Sequence, residues 1–395
     1  MQYTPEQQHA IDMALTERVM ILTGGPGTGK TTTLRGILQE LRRADLFYKM
    51  CAPTGRAAKR MREQTGQHAE TIHRLLEYHP EQGFRRDKLN RLETDVVICD
   101  EASMIDVELM QRLTDALPTG CRLILIGDAD QLQSVGPGNV LRDMIASGDI
   151  PVARLTQIQR QAAGSLIVQN ATRIISGMPI ETQNMIGGDF FFQRTRSEEE
   201  AVDCVVRKVS DGLPKFLPEG SEIQVLSPMR KENVLAGCTE LNKALQAAIN
   251  PDGQRIIINK QEWRVGDRVM NVKNDYDQQL YNGDTGEIVG GSASDKVLHV
   301  DFDGRVLDIK GTALTNLTLA YATTVHKAQG SEYDAAVIIL TPGCAYGANR
   351  HLLYTAVTRA KRLCLLVGDK DTIEATIRND RVAVRNTRLA ERLAE

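Results

Sequence analysis

A glycine-rich segment near the start of the sequence carries its strongest chemical signal. Residues 24–31 read GGPGTGKT and match the pattern G-x-x-x-x-G-K-[ST]; they follow an apolar run (VMILTG, 19–24) and open a predicted helix at Lys30. Glycines let backbone N–H groups surround a phosphate, and the N-terminus of the helix adds positive potential. The segment predicts a nucleoside triphosphate site in which Lys30 reaches the β- and γ-phosphates and the Thr31 hydroxyl binds Mg²⁺.

Two adjacent acids, Asp100 and Glu101, follow a second apolar run (VVIC, 96–99). Ligands of open parallel sheets bind at the carboxyl ends of the strands, so these acids are expected beside the phosphates. Asp100 would hold Mg²⁺ through water, and Glu101 would activate the attacking water. A base for water favours hydrolysis over transfer to a second acceptor. Guanine specificity is disfavoured, because the Asn-Lys-x-Asp signature is missing and its nearest match, NKQE at 259–262, lies in a β-rich segment.

The elements that must position these groups alternate between strands and helices. Short apolar runs rich in Val and Ile, separated by helical patterns, are typical of a parallel sheet covered on both faces, which makes the chain an α/β protein. A polar stretch at 78–92 (YHPEQGFRRDKLNRL) is expected to be a small hairpin. Between residues 251 and 315, short β-like runs and the turn signal Asp303-Gly304 predict a small barrel inserted in a second α/β region.

Composition excludes several classes of protein. The chain has 395 residues, 42% hydrophobic and 25% charged, and this usage predicts two or three globular domains. No apolar stretch approaches the roughly 18 residues of a membrane span, and no signal peptide is visible, so a cytoplasmic protein without a membrane partner is expected. Seven scattered cysteines without a C-x-x-C pair argue against a disulfide scaffold or a zinc module.

A local excess of basic residues stands out against the net charge of −3. Residues 54–92 contain nine Lys or Arg and five Asp or Glu, a local balance of +4. Net charge averages over the whole surface, so such a track is compatible with binding to a nucleic-acid backbone. A solvated helix face accounts equally well for Lys59 and Arg62.

Further motifs, in the order of the family, resemble those of superfamily 1 helicases. They are TPEQ (4–7), APTGRAA (52–58), TIHRL (71–75), DE (100–101), GDADQL (127–132), QRQ (159–161), TVHKAQGSE (324–332) and YTAVTRA (354–360). The segments SPMRK (227–231), NDY (274–276) and NG (282–283) are similar to the RecD-like branch of subgroup B. Members of that branch usually carry a further region before the motif that corresponds to TPEQ, which here begins at residue 4. The sequence is therefore expected to represent a motor core without that region.

The resemblance implies two RecA-like P-loop domains with parallel sheets. The first would span 1–153 with a hairpin insert at 77–93, and the second would span 154–250 and 316–395 around an SH3-like β-barrel insert at 251–315. It further implies ATP-dependent, 5′ to 3′ movement on single-stranded DNA and unwinding of duplex by a monomer, with the hairpin as the wedge. An ATPase that moves on DNA without separating strands, and an RNA helicase, remain open.

The resemblance also implies roles for individual residues. Beside Lys30, Asp100 and Glu101, catalysis would use Gln131 as a γ-phosphate sensor and Arg160 and Arg359 as arginine fingers. Mg²⁺ would be bound by Thr31 and Asp100, and the other nucleotide contacts would come from Gln7, Gly25, Pro26, Gly27, Thr28, Gly29, Thr32 and Glu332. Contacts to single-stranded DNA and to its junctions with duplex would come from Pro53, Thr54, Arg56, Thr71, His73, Ser227, Met229, Arg230, Tyr276 and His326. Other proteins of recombination or replication are further candidate partners that the resemblance implies.

Overall fold

The computed structural model describes residues 3–159, 164–182, 187–275, 278–382 and 385–394. The chain divides into unit 1, residues 1–172 and 381–395, and unit 2, residues 173–380. This division differs from the predicted one, which ended the first domain at 153 and assigned the C-terminal tail to the second.

Unit 1 is built on a six-stranded parallel sheet. The strand order is β3-β2-β6-β7-β1-β8. Consecutive residues of β1, β6 and β7 are buried, as expected for a sheet covered on both faces. The helices and strands are α1 (Pro5–Thr16), β1 (Val19–Gly24), α2 (Lys30–Arg43), β2 (Tyr48–Ala52), α3 (Gly55–Thr65), β3 (Glu70–Thr71), α4 (Ile72–Leu75), β4 (Tyr78–His79), β5 (Gly83–Phe84), β6 (Val96–Cys99), α5 (Val107–Asp115), β7 (Arg122–Gly127), α6 (Val140–Ser147), β8 (Val152–Leu155) and α7 (Leu166–Ile175), the last of which continues into unit 2.

The helices of unit 1 follow from local sequence signals. Thr4 and Gln7 form a capping box at the start of α1, in which each side chain receives a backbone N–H of the other residue. In α2, the residues at helical spacing on the apolar face are at most 3% exposed: Leu34, Ile37, Leu38 and Leu41. None of the helices in the described part of the chain combines the length and apolar character that a bilayer crossing requires.

The predicted hairpin is present but very short. The strands β4 and β5 pair antiparallel over two residues each, with Tyr78 opposite Phe84. The chain then makes an irregular excursion through residues 85–91, where the Leu89 side chain is 97% exposed.

Unit 2 contains a second parallel sheet and an antiparallel insert. The parallel sheet has the order β18-β10-β19-β20-β9, and the insert has the order β16-β15-β14-β13-β17 beside the pair β11-β12. The helices and strands are β9 (Phe190–Arg194), α8 (Glu198–Arg207), β10 (Ile223–Ser227), α9 (Cys238–Ile249), β11 (Arg255–Ile258), β12 (Gln261–Arg264), β13 (Arg268–Asn271), β14 (Thr285–Ser292), β15 (Val297–Phe302), β16 (Arg305–Lys310), β17 (Leu317–Leu319), β18 (Ala322–Thr324), β19 (Tyr333–Leu340), α10 (Arg350–Val357), β20 (Ala360–Gly368) and α11 (Lys370–Arg378).

The insert ends later than residue 315, where the sequence placed its boundary. Residues 317–319 pair antiparallel with β13, whereas residues 322–324 pair in parallel with β10, so LTLAYAT is two strands of different sheets. The turn signal at Asp303-Gly304 is confirmed: Phe302 pairs with Arg305, and both turn residues have positive φ.

A buried carboxylate, Asp267, ties the insert to the parallel-sheet part of unit 2. It is fully buried and accepts hydrogen bonds from Gln246 (2.6 Å) and Asn250 (2.9 Å) of the α9 segment and from the hydroxyl of Tyr321 (3.0 Å). The Tyr321 pKa is raised by burial and by the charge of Asp267. Because each buried polar group has a partner, the network fixes how the insert packs on α9.

The C-terminal tail packs on unit 1. Its helix α12 (Leu389–Leu393) lies against α6, and Leu389 and Leu393 contact the apolar cluster that contains Leu141 and Met144. This packing is the physical reason for the altered domain division, because the tail contributes core contacts to the first unit.

Candidate nucleotide site and nucleic-acid interface

The P-loop between β1 and α2 is ordered by its own backbone. Gly27 and Gly29 have φ values of 72° and 91°, in the left-handed region that favours glycine. The Thr28 hydroxyl donates to the carbonyl of Gly25 (2.9 Å). The Lys30 ammonium donates to the carbonyls of Gly24 and of Gly25, the latter at 3.0 Å, so its charge lies within the loop at the N-terminus of α2.

Gln7 lies directly against this loop. A Cβ atom placed on Gly29 would collide with the side-chain amide nitrogens of Gln7 and Gln159. Gln7 is 2% exposed; its Oε1 accepts from the Thr4 backbone (3.0 Å), while its buried Nε2 has no acceptor among the described residues. A buried donor left over beside a phosphate loop is suited to a ligand acceptor. Gln159, whose N–H donates to Gly27 (2.9 Å), was named only as part of a motif.

The acid pair lies at the same sheet edge as the P-loop. β7 separates β1 from β6, and all three strands are parallel, so their carboxyl ends lie side by side. Burial, reinforced by the charge of Glu101, raises the pKa of Asp100 to about 6, while Arg60 and Lys30 oppose the shift. These interactions place Lys30, Arg60 and both carboxylates in one electrostatic cluster.

Arg60, one of the nine cations counted in the basic track, pairs with the acid pair. Its guanidinium lies 3.4 Å from a carboxylate oxygen of Glu101, which is 7% exposed and has a positive φ of 52°. The sequence predicts no individual role for Arg60. Its position in α3 gave no signal of this, because the contact joins residues far apart in the chain.

A third group completes the edge after β7. Asp128 is 2% exposed, and its carboxylate lies 3.4 Å from the side-chain nitrogen of Gln131. The Oε1 of Gln131 is buried and has no donor among the described residues. Burial lowers the pKa of Arg142, while the charges of Asp130 and Asp128 oppose this shift. Arg142 therefore compensates the charge of Asp128 and Asp130. The amide of Gln131 keeps one acceptor for a ligand group.

The oxygen donors at this edge fit Mg²⁺. The Thr31 hydroxyl donates to Gln64 (3.2 Å), which leaves its lone pairs available to a cation, and Asp100 supplies a carboxylate. Mg²⁺ prefers such hard oxygen ligands with several retained waters. Thr32, which follows Thr31 in the first turn of α2, is half-buried.

Of the two predicted arginine fingers, the structure describes Arg359. Arg160 lies outside the described residues. Arg359 is 2% exposed within unit 2, where its guanidinium donates to the carbonyls of Thr355 (3.1 Å) and Ser331 (3.0 Å) and to the Thr358 hydroxyl (3.1 Å). Glu332, one of the predicted nucleotide contacts, is half-buried in the same unit.

The predicted DNA contacts of unit 1 converge at the carboxyl ends of β2 and β3. Thr71 of β3 lies opposite Ala52 of β2, and the half-buried Pro53 and Thr54 follow directly. The hydroxyls of Thr54 and Thr71 cap α3 and α4, accepting from backbone N–H groups at 3.3 and 3.2 Å. Arg56 lies in the first turn of α3.

His73 packs against the hairpin. Its ring centroid lies 5.5 Å from that of Tyr78 and 5.7 Å from that of Phe84, and those two rings are 4.8 Å apart. Burial lowers the pKa of His73, an effect that Asp106 opposes. The side chain predicted to contact DNA thus anchors the hairpin to α4.

The predicted DNA contacts of unit 2 separate into buried and accessible residues. Ser227 is fully buried, and its hydroxyl donates to the carbonyl of Ala236 (2.6 Å), so it supports a loop and does not face a ligand. Met229 packs partly against the core, whereas His326 and Arg230 are exposed. Tyr276 lies outside the described residues.

A basic groove, missed by sequence reasoning, lies between α9, β18 and the insert. Its volume is about 740 Å³. Burial and the charge of Arg230 lower the pKa of Lys327, one of its lysines. Five cations, Arg230, Lys243, Lys260, Arg264 and Lys327, line it together with only two acids, Glu232 and Glu262.

Family models match three segments of the chain. Residues 7–137 match an AAA domain, residues 241–302 match the ATP-dependent RecD-like DNA helicase SH3 domain, and residues 319–367 match the UvrD-like helicase C-terminal domain. The matches cover the P-loop, most of the antiparallel insert and the strands β18, β19 and β20 of the second parallel sheet.

Curated relatives resemble the chain over nearly all of its length. It is 39% identical over 388 residues to the ATP-dependent RecD2 DNA helicase of Deinococcus radiodurans, covering 98% of this chain and 52% of that protein. It is 33% identical to the RecBCD enzyme subunit RecD of Mycobacterium tuberculosis, covering 98% of this chain and 73% of the relative. The chain thus spans about half the length of the first relative.

Solved structures support the fold. The Pif1 helicase from Bacteroides in complex with ADP-AlF3 and ssDNA superposes with a TM-score of 0.55 at 19% identity, over 94% of each chain. The Pif1 helicase from Candida albicans gives a TM-score of 0.52 at 18% identity, over 99% of this chain and 98% of the other.

Proposed function

The chain belongs to the RecD-like family of DNA helicases, and on this basis we propose that it hydrolyses Mg-ATP to move 5′ to 3′ along single-stranded DNA and to unwind duplex. The observation that carries the proposal is the convergence at one sheet edge of the Lys30 ammonium, the Asp100–Glu101 pair and Gln131. The direction of movement rests on the resemblance alone.

In this proposal each polar group of the site has one task. Lys30 binds the β- and γ-phosphates, Gln7 donates to the base, and Gln131 accepts from a group near the γ-phosphate. Glu101, held by Arg60, takes the proton of the attacking water. Thr31 and Asp100 would hold Mg²⁺, which supplies charge compensation on the phosphates. Arg359 and Arg160 would complete that compensation.

DNA is proposed to follow the carboxyl-edge loops and the basic groove. The loop after β2, the Thr71 segment and Arg56 would contact the strand in unit 1. Arg230 and Lys327 would contact it in unit 2. Arg264 and Lys243 form ion pairs with Glu262 (2.7 Å) and Glu240 (2.9 Å). The other cations of the groove, Arg230, Lys260 and Lys327, support phosphate binding, because the phosphate backbone supplies most sequence-independent affinity.

An unwinding assay with 5′-tailed and 3′-tailed duplexes tests the proposal. We expect ATP-dependent unwinding of the 5′-tailed substrate only, and none by Lys30→Ala, because the P-loop loses its phosphate charge. Arg43→Ala, which removes an exposed cation from the end of the same helix, is the matched control.

Each alternative predicts a different result in this assay. Unwinding from the 3′ tail would reverse the proposed direction. Hydrolysis stimulated by single-stranded DNA, without unwinding of either substrate, would favour the translocase. Stronger stimulation by RNA than by DNA would favour an RNA helicase.

A further inference from the structure

One arginine of the C-terminal tail is bound by the loop that follows Gln131. The Arg385 guanidinium donates to the carbonyls of Ser134 (2.7 Å), Gly136 (2.6 Å) and Gly138 (2.5 Å), and to the Ser134 hydroxyl (3.0 Å). Four oxygens of one five-residue loop thus surround a single side chain. We name residues 134–138 the sensor loop, because they connect Gln131 to α6.

The sensor loop needs a cation at this position. The Ser134 hydroxyl lies 3.1 Å from the carbonyl of Gly136 and 3.2 Å from that of Gly138, and its single proton can serve only one of them. Converging carbonyls that lack a donor repel one another and lose the hydrogen bonds they would make with water. The Arg385 Nη1 group, with two hydrogens, lies against the Ser134 hydroxyl and the carbonyls of Gly136 and Gly138, while Nη2 donates to the carbonyl of Ser134. Together with the proton of the Ser134 hydroxyl, these hydrogens are enough to give each carbonyl of the set a donor.

The same loop rests on the segment that follows the acid pair. The carbonyl of Pro137 accepts from the backbone of Val107 (2.9 Å), and a Cβ atom on Gly136 would collide with the side chain of Asp106. At the other end, Arg142 of α6 donates to the carbonyl of Ala129 (2.7 Å). Arg385 therefore holds a loop that contacts the segment after Glu101, at Asp106 and Val107, and that follows Gln131 in the chain.

The tail is anchored well enough to act on this loop. The Thr387 hydroxyl donates to Asp143 of α6 (2.6 Å), and Leu389 and Leu393 pack on the apolar cluster beneath. These contacts fix the backbone on the C-terminal side of Arg385. Less backbone entropy is therefore lost when Arg385 binds the sensor loop, an arrangement that we call the Arg385 clamp.

We propose that Arg385 is a positioning residue for ATP hydrolysis, acting through the sensor loop to hold Gln131 in register with the acid pair. The inference rests on the proposed ATPase function. Arg385 touches no reacting group, so its loss is expected to slow turnover while leaving ATP affinity nearly unchanged.

Hydrogen–deuterium exchange and kinetics on the full chain test this role separately. In Arg385→Ala, amides of residues 129–139 should exchange faster than in the parent. The kcat of ATP hydrolysis stimulated by single-stranded DNA should fall about tenfold or more, with KM for ATP within about twofold. Arg385→Lys or added guanidinium ion should restore part of kcat. Arg388→Ala, which removes a neighbouring exposed arginine that pairs with Glu391 on the next turn of the tail (2.8 Å), is the matched control.

The outcomes discriminate between positioning and general support. Unchanged exchange, or a parental kcat in Arg385→Ala, overturns the proposal. A fall in kcat that neither lysine nor guanidinium restores, together with a lower Tm, assigns the tail a general structural role and also overturns it. If the parent hydrolyses no ATP, the proposed function fails, while the exchange measurement still shows whether the clamp exists.

Discussion

At the scale of single residues, chemistry and burial assign different roles to side chains that look alike in sequence. The position of Lys30, Asp100 and Glu101 at one sheet edge could be predicted from the sequence. Each follows a parallel strand, and the carboxyl ends of parallel strands lie at the same edge. Arg60 and Arg385 could not be placed, since their partners are distant in the chain. Ser227 and His73 were predicted to contact DNA, yet one is fully buried and the other packs on the hairpin rings.

The half-buried ring of His73 predicts a pH dependence of stability. Burial lowers its pKa, so below the ordinary histidine pKa of about 6.5 the unfolded chain binds a proton that the folded ring resists. This contribution to the free energy of unfolding is complete above that pH and decreases as the pH falls through it. His73→Phe, which keeps an aromatic ring and removes the titrating group, should lose less stability on acidification.

Urea denaturation at pH 7.5 and pH 5.5 measures this difference. His9→Phe, at an exposed position of α1, is the control and should lose as much stability as the parent. An equal loss in His73→Phe would show that another group causes the acid sensitivity.

At the scale of elements, periodicity predicted both parallel sheets, the helix after the P-loop and the antiparallel insert. It ended the insert at residue 315, before β17, because strand pairing is decided by tertiary contacts and not by the local pattern. It also gave no hint that the hairpin would be two residues per strand. The strands β4 and β5 are held by aromatic rings, while the excursion at 85–91 carries the exposed apolar side chain.

Leu89 is the side chain best suited to disturb base stacking if this excursion meets a duplex end. It is 97% exposed, and Arg85, Arg86, Lys88 and Arg91 lie within the same short excursion. Leu89→Ser should therefore reduce the unwinding rate about tenfold, since apolar wedges unstack base steps, while ATPase stimulated by single-stranded DNA stays within about twofold.

The control for this prediction is Phe216→Ser, which removes an 82% exposed apolar side chain from unit 2. Equal unwinding by Leu89→Ser and the parent would exclude this residue as the wedge. A parallel loss of ATPase would indicate a role in DNA binding instead.

At the scale of the whole molecule, a net charge of −3 coexists with a groove in which five cations face two acids. Composition could not predict this groove, because its lysines and arginines come from α9, the insert and two loops. An acidic chain with a local basic site is expected to bind a polyanion weakly and in a salt-dependent manner, which suits the proposed movement along DNA because each step requires release of the strand.

Arg230→Ala should test this site through the salt dependence of binding. Removal of one phosphate contact is expected to weaken binding to single strands of any sequence and to reduce the slope of log affinity against log salt by about one. Fluorescence anisotropy with labelled oligonucleotides between 50 and 300 mM salt gives the slope. Lys215→Ala, which removes an exposed lysine paired with Asp211 (2.6 Å), should leave it unchanged, and an unchanged slope in Arg230→Ala would exclude that contact.

The discontinuity of unit 1 has a consequence for how the molecule is made. Residues 1–172 leave the ribosome before unit 2, and residues 385–393 leave it afterwards. A nascent chain can therefore build its P-loop and acid pair early, but closes the contacts of Arg385 only after translation has passed through the whole of unit 2. A chain that ends before Arg385 has the phosphate site but lacks the contacts of Arg385 with the sensor loop. Unit 1, although its synthesis begins first, is therefore the last unit to be completed.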